Sequence, residues 1–338
     1  MTDLRPYLLA PLLSALLAAC GPTETTETEP EPTAAEASAP APITPPTVDS
    51  EMMLDGLAGS FRDAGDDAPA VLIVPGSGPT DRDGNSPMGI RASSYRLLAE
   101  ALQAEGLSTL RIDKRGMFGS TAAGDPNAVT TQQYAQDYLG WADALRDKTG
   151  RDCVYLLGHS EGGLMVSAAA AQNNDGICGL ILVAAPGRPL AEVLREQFRA
   201  NPANAPILDA ALGAIDKLEA GERVDVSSMH PALQGVFAPA VQGFLISVFD
   251  TDPADLAARA NVPILVLQGD RDIQVTMADA ERLAGVTDRA ELVTLPGVNH
   301  VLKESPEDMA GNMATYANPD LPLADMIAPA IADFIRAQ

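Results

Sequence analysis

Short, almost unbroken apolar runs recur along the chain, separated by stretches in which apolar residues return every three or four positions. Ala70 to Val74, Leu107 to Ile112, Cys153 to Leu157, Gly179 to Ala184, Val262 to Gln268 and Ala290 to Leu295 are of the first kind. Runs this short, bounded by turn residues, predict strands buried on both faces. Between them, Ser94 to Glu105 puts Leu97, Leu98, Ala101 and Leu102 on one helical face, and Gly106 stops it. A second amphipathic helix is predicted over about Thr130 to Lys148, another around Met277 to Leu283, and a closing one from about Leu323 to Arg336. Strands alternating with helices predict an α/β fold: a mostly parallel central sheet with helices on both faces.

The rhythm breaks after Pro186, where no buried strand is predicted until about Ala260. Pro231 to Phe249 has a helical period, and Pro239 divides it into two helices. Residues 187–260 are therefore expected to form a helical cap over the strand ends, where open α/β sheets bind ligands. Phe237, Phe244 and Phe249 are read there as packing more than as substrate contacts.

The first residues have a different pattern. Arg5 precedes an apolar stretch too short to span a bilayer, and Leu17-Ala18-Ala19-Cys20 follows. Residues 1–19 read as a signal peptide whose end resembles the lipobox of bacterial lipoproteins, which implies a lipidated Cys20; an ordinary cleaved signal is the alternative. Residues 20–50, rich in Pro, Thr and Glu, read as a disordered tether, and 51–338 as the folded domain. The expected location is the cell envelope, on the periplasmic side or at the outer membrane, with the membrane as partner through Cys20.

Composition narrows the partners. Apolar residues make up 46% of 338 and aromatics 4%, so the core is aliphatic. A net charge of −24 argues against nucleic acid and against an anionic membrane surface. No His, Cys, Asp or Glu cluster has metal-ligand spacing, and no cofactor is expected. Cys153 and Cys178 stand at the starts of neighbouring strands; a disulfide or two buried thiols both fit.

The run from Val154 ends in Gly158-His159-Ser160-Glu161-Gly162, and small helix formers follow. Gly-x-Ser-x-Gly between a strand and a helix predicts a nucleophile elbow, with the serine hydroxyl presented above the sheet. A serine needs a base and the base an orienting acid. Of the three histidines, His159 lies inside the turn and points elsewhere, His230 falls in the cap without a fixed acid nearby, and His300 follows the last predicted strand at the same sheet edge as Ser160. Asp270 and Asp272 both qualify as the acid by position. With Asp272 the order along the chain is nucleophile, acid, base. Pro75-Gly76-Ser77-Gly78-Pro79 follows an earlier strand, so the backbone N–H groups of Ser77 and Glu161 are the positional choice for an oxyanion hole, a plain βα turn being the alternative.

Together Pro75-Gly-Ser-Gly, Asp113-Lys-Arg-Gly, Gly158-His-Ser-Glu-Gly, Gly269-Asp-Arg-Asp-Ile-Gln-Val and Asn299-His-Val resemble α/β-hydrolase esterases grouped with serine-aminopeptidase-like hydrolases. The resemblance covers roughly residues 55–338. It implies the α/β-hydrolase fold with a cap, Asp272 as the acid and His300 as the base. It departs at Pro75-Gly76, where such proteins have His-Gly, which leaves Ser77 and Gly78 as competing donors. The implied activity is hydrolysis of small-molecule acyl esters without a cofactor. A peptidase would need an amine-binding carboxylate, for which Glu192, Glu196 and Glu222 in the cap are the choices. Thioesterase or acyltransferase chemistry uses the same triad, and a ligand-binding lipoprotein on an inactive hydrolase fold is the reading from another class. Nothing in the sequence fixes the oligomeric state.

Overall fold

The computed structural model describes residues 49–338. The signal segment, Cys20 and nearly all of the tether lie outside the described residues.

Eight strands form one sheet: β1 (Ser50–Leu54), β2 (Leu57–Arg62), β3 (Ala70–Val74), β4 (Ser108–Ile112), β5 (Val154–His159), β6 (Ile177–Val183), β7 (Ile264–Gly269) and β8 (Ala290–Leu295). Their order across the sheet is β1-β2-β4-β3-β5-β6-β7-β8. β1 and β2 run antiparallel to their neighbours, and all pairs from β4 to β8 are parallel. β3 and β5 are buried along their whole length, which explains why their sequences do not alternate with polar residues.

The pleat sends successive side chains of each strand to opposite cores. Leu72, Leu110, Leu156, Leu182 and Val266 meet one face, where α2 (Thr131–Thr149), α3 (Glu161–Gln172), α8 (Pro253–Arg259) and α9 (Met277–Ala284) pack. Ile73, Leu157, Ile181, Val183 and Leu267 meet the other, beneath α1 (Ser94–Ala104) and α11 (Ile327–Ala337). α2 starts where Thr130 accepts the N–H of Gln133 and ends at Gly150, whose φ of 67° lies in the left-handed region that favours a residue without a Cβ.

Between β6 and β7 lie α4 (Leu190–Ala200), α5 (Leu208–Glu219), α6 (Pro231–Val236), α7 (Gln242–Phe249) and α8. α4, α5 and α7 pack on one another, with α7 touching α2. α8 instead packs against α3 and belongs to the helical layer on the sheet. The segment expected as cap to residue 260 thus gives its last helix to the layer below. Three further differences have local causes. The β1–β2 hairpin escaped notice because β1 is mostly exposed and its apolar run, Met52 to Leu54, is short. α10 (Met309–Ala314) is too short for a period. The closing helix starts at Ile327, after a non-helical stretch that follows Pro322.

Cys153 and Cys178 form a disulfide with Cα atoms 5.3 Å apart. The register of β5 on β6 jumps from Val154–Ile177 to Tyr155–Gly179, so Cys178 is the skipped residue of a bulge, free to turn toward Cys153. The bond closes a loop of 25 residues, for which chain entropy alone corresponds to about 3.5 kcal/mol. Cys153→Ser/Cys178→Ser is expected to lower unfolding free energy by roughly 2–4 kcal/mol in denaturant titration, with the folded protein otherwise unchanged. A midpoint equal to that of the unreduced parent would contradict this.

Candidate active site

Loops at the C-terminal ends of β3, β4, β5, β7 and β8 carry Ser77, Lys114, Ser160, Asp272 and His300. Parallel strands end on one side, so five separated segments converge above the sheet.

Ser160 sits between β5 and α3 with φ 54° and ψ −127°, a conformation unfavourable for a residue with a Cβ and costing of order 1–3 kcal/mol. Neighbouring backbone holds it there. The N–H of Ser160 donates to the Val183 carbonyl at 2.9 Å, and its own carbonyl accepts from Gly163 at 2.9 Å. A Cβ on Gly158 would overlap the Gly162 backbone, and one on Gly162 would overlap the Val74 carbonyl. These glycines are required by close approach, and only a sharp turn brings the backbones so near.

His300 Nδ1 lies 2.8 Å from Asp272 Oδ2. The other Asp272 oxygen accepts from the N–H groups of Gln274 (2.7 Å) and Val275 (3.0 Å), and Gln268 Nε2 donates to Oδ2 at 3.3 Å. So held, the carboxylate accepts a hydrogen bond from the Nδ1–H of His300 and leaves Nε2 as an acceptor. Ser160 and His300 line the same cavity, with no hydrogen bond between them among the described residues. Asp270 is not part of this pair: its carboxylate receives the Gly297 N–H at 2.7 Å and fixes the turn before His300. His230 is exposed and caps α6 by accepting from Ala232, away from the site.

Three residues with roles here were missed or misjudged from sequence. Tyr95, on α1, takes the Gly76 N–H at 3.0 Å and lies 2.8 Å from His159 Nδ1. His159 Nε2 lies 2.8 Å from the His300 carbonyl. A carbonyl only accepts, so Nε2 carries the proton, Nδ1 accepts from the Tyr95 hydroxyl, and the ring is neutral. His159 therefore does point away from Ser160's partner nitrogen, yet it ties the backbone of His300 to the loop after β3. Burial first, and the His300 charge second, push its pKa down to about 3. The third is Lys114, whose Nζ donates to the Gly76 carbonyl at 2.6 Å and lies 3.7 Å from Glu161 Oε1. Burial lowers the pKa of Lys114 and raises that of Glu161, and each one's charge opposes the other's shift. Long-range proximity creates all three roles, and no local motif signals it.

Two cavities meet at Ser160 and Ser77. One, about 780 Å³ including its open part, has walls of Leu164, Leu190, Val193, Leu194, Phe244 and Val248. The other, about 550 Å³, is bordered by Thr80, Tyr95, Gln274 and His300. Phe244 is both packed in the core and part of the cavity wall, whereas Phe237 and Phe249 serve the core. Glu192 and Glu222 are exposed, and Glu196 pairs with Arg188, which also binds Asp279 at 3.0 Å. None of the three glutamates lines either cavity. Among the described residues no group of three His, Cys, Asp or Glu is placed to hold a metal ion.

Comparison with known proteins gives the family and the fold. A family model described as "Alpha/beta hydrolase family" matches residues 71–311. Esterase EstD of Thermotoga maritima is 29% identical over 240 residues, 69% of this chain and 54% of the relative, so the chain spans about half the relative's length. Est1E from Butyrivibrio proteoclasticus, solved with ferulic acid bound, superposes with a TM-score of 0.55 at 18% identity over 86% of this chain and 98% of that one. A meta-cleavage product hydrolase from Pseudomonas fluorescens does so with a TM-score of 0.51 at 17% identity, covering 86% and 98%. At such identities the two structures speak for the fold.

The neutral His159 makes stability depend on pH. Between its ordinary value of 6.5 and about 3 the unfolded chain binds a proton there and the folded chain does not. This contribution is full above pH 6.5 and falls with decreasing pH, at up to roughly 1.4 kcal/mol per pH unit. Denaturant titrations at pH 7 and pH 5 are expected to show the stability gap between the parent and His159→Gln narrowing at the lower pH. A gap independent of pH would contradict a neutral buried His159.

Proposed function

Since the chain belongs to the alpha/beta hydrolase family, we propose that it is a serine esterase that cleaves carboxylic esters through an acyl-enzyme on Ser160. The observation that carries this reading is the Asp272–His300 pair opening onto the cavity that also holds the strained Ser160. In the proposed reaction His300 Nε2 takes the hydroxyl proton as Ser160 Oγ attacks the acyl carbon, and then gives it to the departing alkoxide. Asp272 keeps the imidazole in the required tautomer and stabilises its charged form. The N–H groups of Ser77 and Glu161 receive the oxyanion. Among the described residues neither gives that N–H to a protein acceptor, and both residues border the cavity. Water then enters by the same route to release the acid.

The esterase homologue supports an ester over an amide or thioester substrate. A peptidase that grips a free amine is disfavoured, because Glu192, Glu196 and Glu222 stay outside both cavities. The aliphatic walls of the larger cavity suit a hydrocarbon portion of the substrate. The reading extends to place: an exported protein anchored through a lipidated Cys20, with the signal at residues 1–19 removed. The Cys153–Cys178 disulfide supports an oxidising compartment.

Ser160→Ala and His300→Ala are expected to abolish or nearly abolish p-nitrophenyl ester turnover, and Asp272→Asn to lower kcat by on the order of 10⁴. Undiminished turnover in the serine variant would refute the assignment. Val193→Trp, which fills the apolar cavity, is expected to cut turnover of p-nitrophenyl octanoate relative to acetate at least tenfold, since one methylene in such a pocket is worth about 1–3 kcal/mol. An unchanged ratio would mean that the chain lies elsewhere.

A further inference from the structure

Lys114 and Glu161 make a buried ion pair that the proposed reaction does not itself use. Lys114 is 3% exposed and the Glu161 side chain 13%. Removing two charges from water costs several kcal/mol per ion unless they satisfy each other, so a pair in this position calls for a reason. Its surroundings supply one. Lys114 Nζ also holds the Gly76 carbonyl at 2.6 Å. In a trans peptide the carbonyl and the following N–H point in opposite directions. With the Gly76 carbonyl drawn to Lys114, the N–H of Ser77 is turned to the other side of that peptide plane. The Ser77 carbonyl is occupied by Thr80 Oγ1 at 3.0 Å, which fixes the next peptide as well.

At the other end of the pair, Glu161 is the first residue of α3, and its N–H is among those a helix start leaves unpaired. The ammonium thus grips the peptide of one donor and the side chain of the residue that bears the other. It also neutralises a carboxylate that borders the cavity beside Ser160, where an uncompensated negative charge would oppose a developing oxyanion. Resting on the serine-esterase reading, we propose that Lys114 and Glu161 are positioning residues that align the Ser77 and Glu161 N–H groups as one oxyanion hole and keep it free of net negative charge. The same geometry assigns the first donor to Ser77, which borders both cavities, whereas Gly78 borders neither.

The test compares Lys114→Met with Lys114→Met/Glu161→Gln in the folded protein, using p-nitrophenyl butyrate turnover and the inhibition constant of a trifluoromethyl ketone, which fills the hole as a tetrahedral adduct. Lys114→Met is expected to lower kcat about a hundredfold, as loss of one oxyanion donor does, with KM within a few-fold. Ketone affinity should fall in parallel. The double variant, with no charge left unpaired, should recover part of both losses. Wild-type kcat and wild-type ketone affinity in folded Lys114→Met would overturn the proposal. A loss confined to thermal stability would do the same. If Lys114→Met does not melt cooperatively, the double variant decides: kcat and ketone affinity lowered together with KM held support the proposal, and both unchanged overturn it. Fluorophosphonate labelling of the wild type separates the two levels. A parent that neither labels at Ser160 nor turns over esters removes the esterase reading and this proposal with it, whereas a labelled, active parent confines any failure to the pair.

Discussion

The sharp reversal between β5 and α3 sets the terms for everything around it. Ser160 adopts backbone angles that no residue with a Cβ prefers, and it keeps them because the strand before it is locked into the middle of the sheet. The helix after it starts at once, so Gly158 and Gly162 come close enough to exclude any side chain. The loop after β3 then fits against the turn so tightly that a Cβ on Gly76 would sit 3.1 Å from that of Ser160. From this one approach follow the position of Ser77 and the access of Lys114 to the Gly76 carbonyl. The strain at Ser160 is supported by the two cores that clamp β5 from either face.

Polar groups around this turn are arranged so that buried charge is balanced although the chain as a whole carries −24. Asp113 is buried against Arg82, Lys114 faces Glu161, Arg115 meets Asp137, and Asp279 meets Arg188. Two consecutive cations of the Asp113-Lys114-Arg115 segment therefore point to different partners, one toward the site and one toward α2. The Gly76–Tyr95–His159–His300 chain of hydrogen bonds works without charge, linking the loop after β3 to the loop after β8 through neutral groups. A neutral link suits a place next to a histidine that becomes positive in the proposed reaction.

Much of the sheet was legible because its strands are buried on both faces and read as apolar runs. β1 was not, since it lies at the sheet edge with its side chains mostly in water. Ser160, Asp272 and His300 stood out because each follows a recognisable strand, and a strand's end fixes a residue's place without knowledge of the fold. Choosing between Asp270 and Asp272 took a family resemblance, since both follow β7; the turn directs one carboxylate to Gly297 and the other to His300. Lys114, Tyr95 and His159 could not be read as they are. Their partners lie 38, 19 and 141 residues away, and only the strand order brings them into reach. The extent of the cap was overread for a related reason: helical periodicity does not say whether a helix faces the sheet or the cavity.

The central claim is that Ser160 carries the acyl group during turnover. Rapid acid quenching of the folded protein with excess p-nitrophenyl butyrate, followed by peptide mass analysis, tests it most directly. A butyryl adduct on the peptide holding Gly158-His159-Ser160-Glu161-Gly162, absent in Ser160→Ala and in His300→Ala, is the predicted result. Ester turnover with no adduct on that serine, or an adduct on another residue that appears and decays at the turnover rate, would contradict the account.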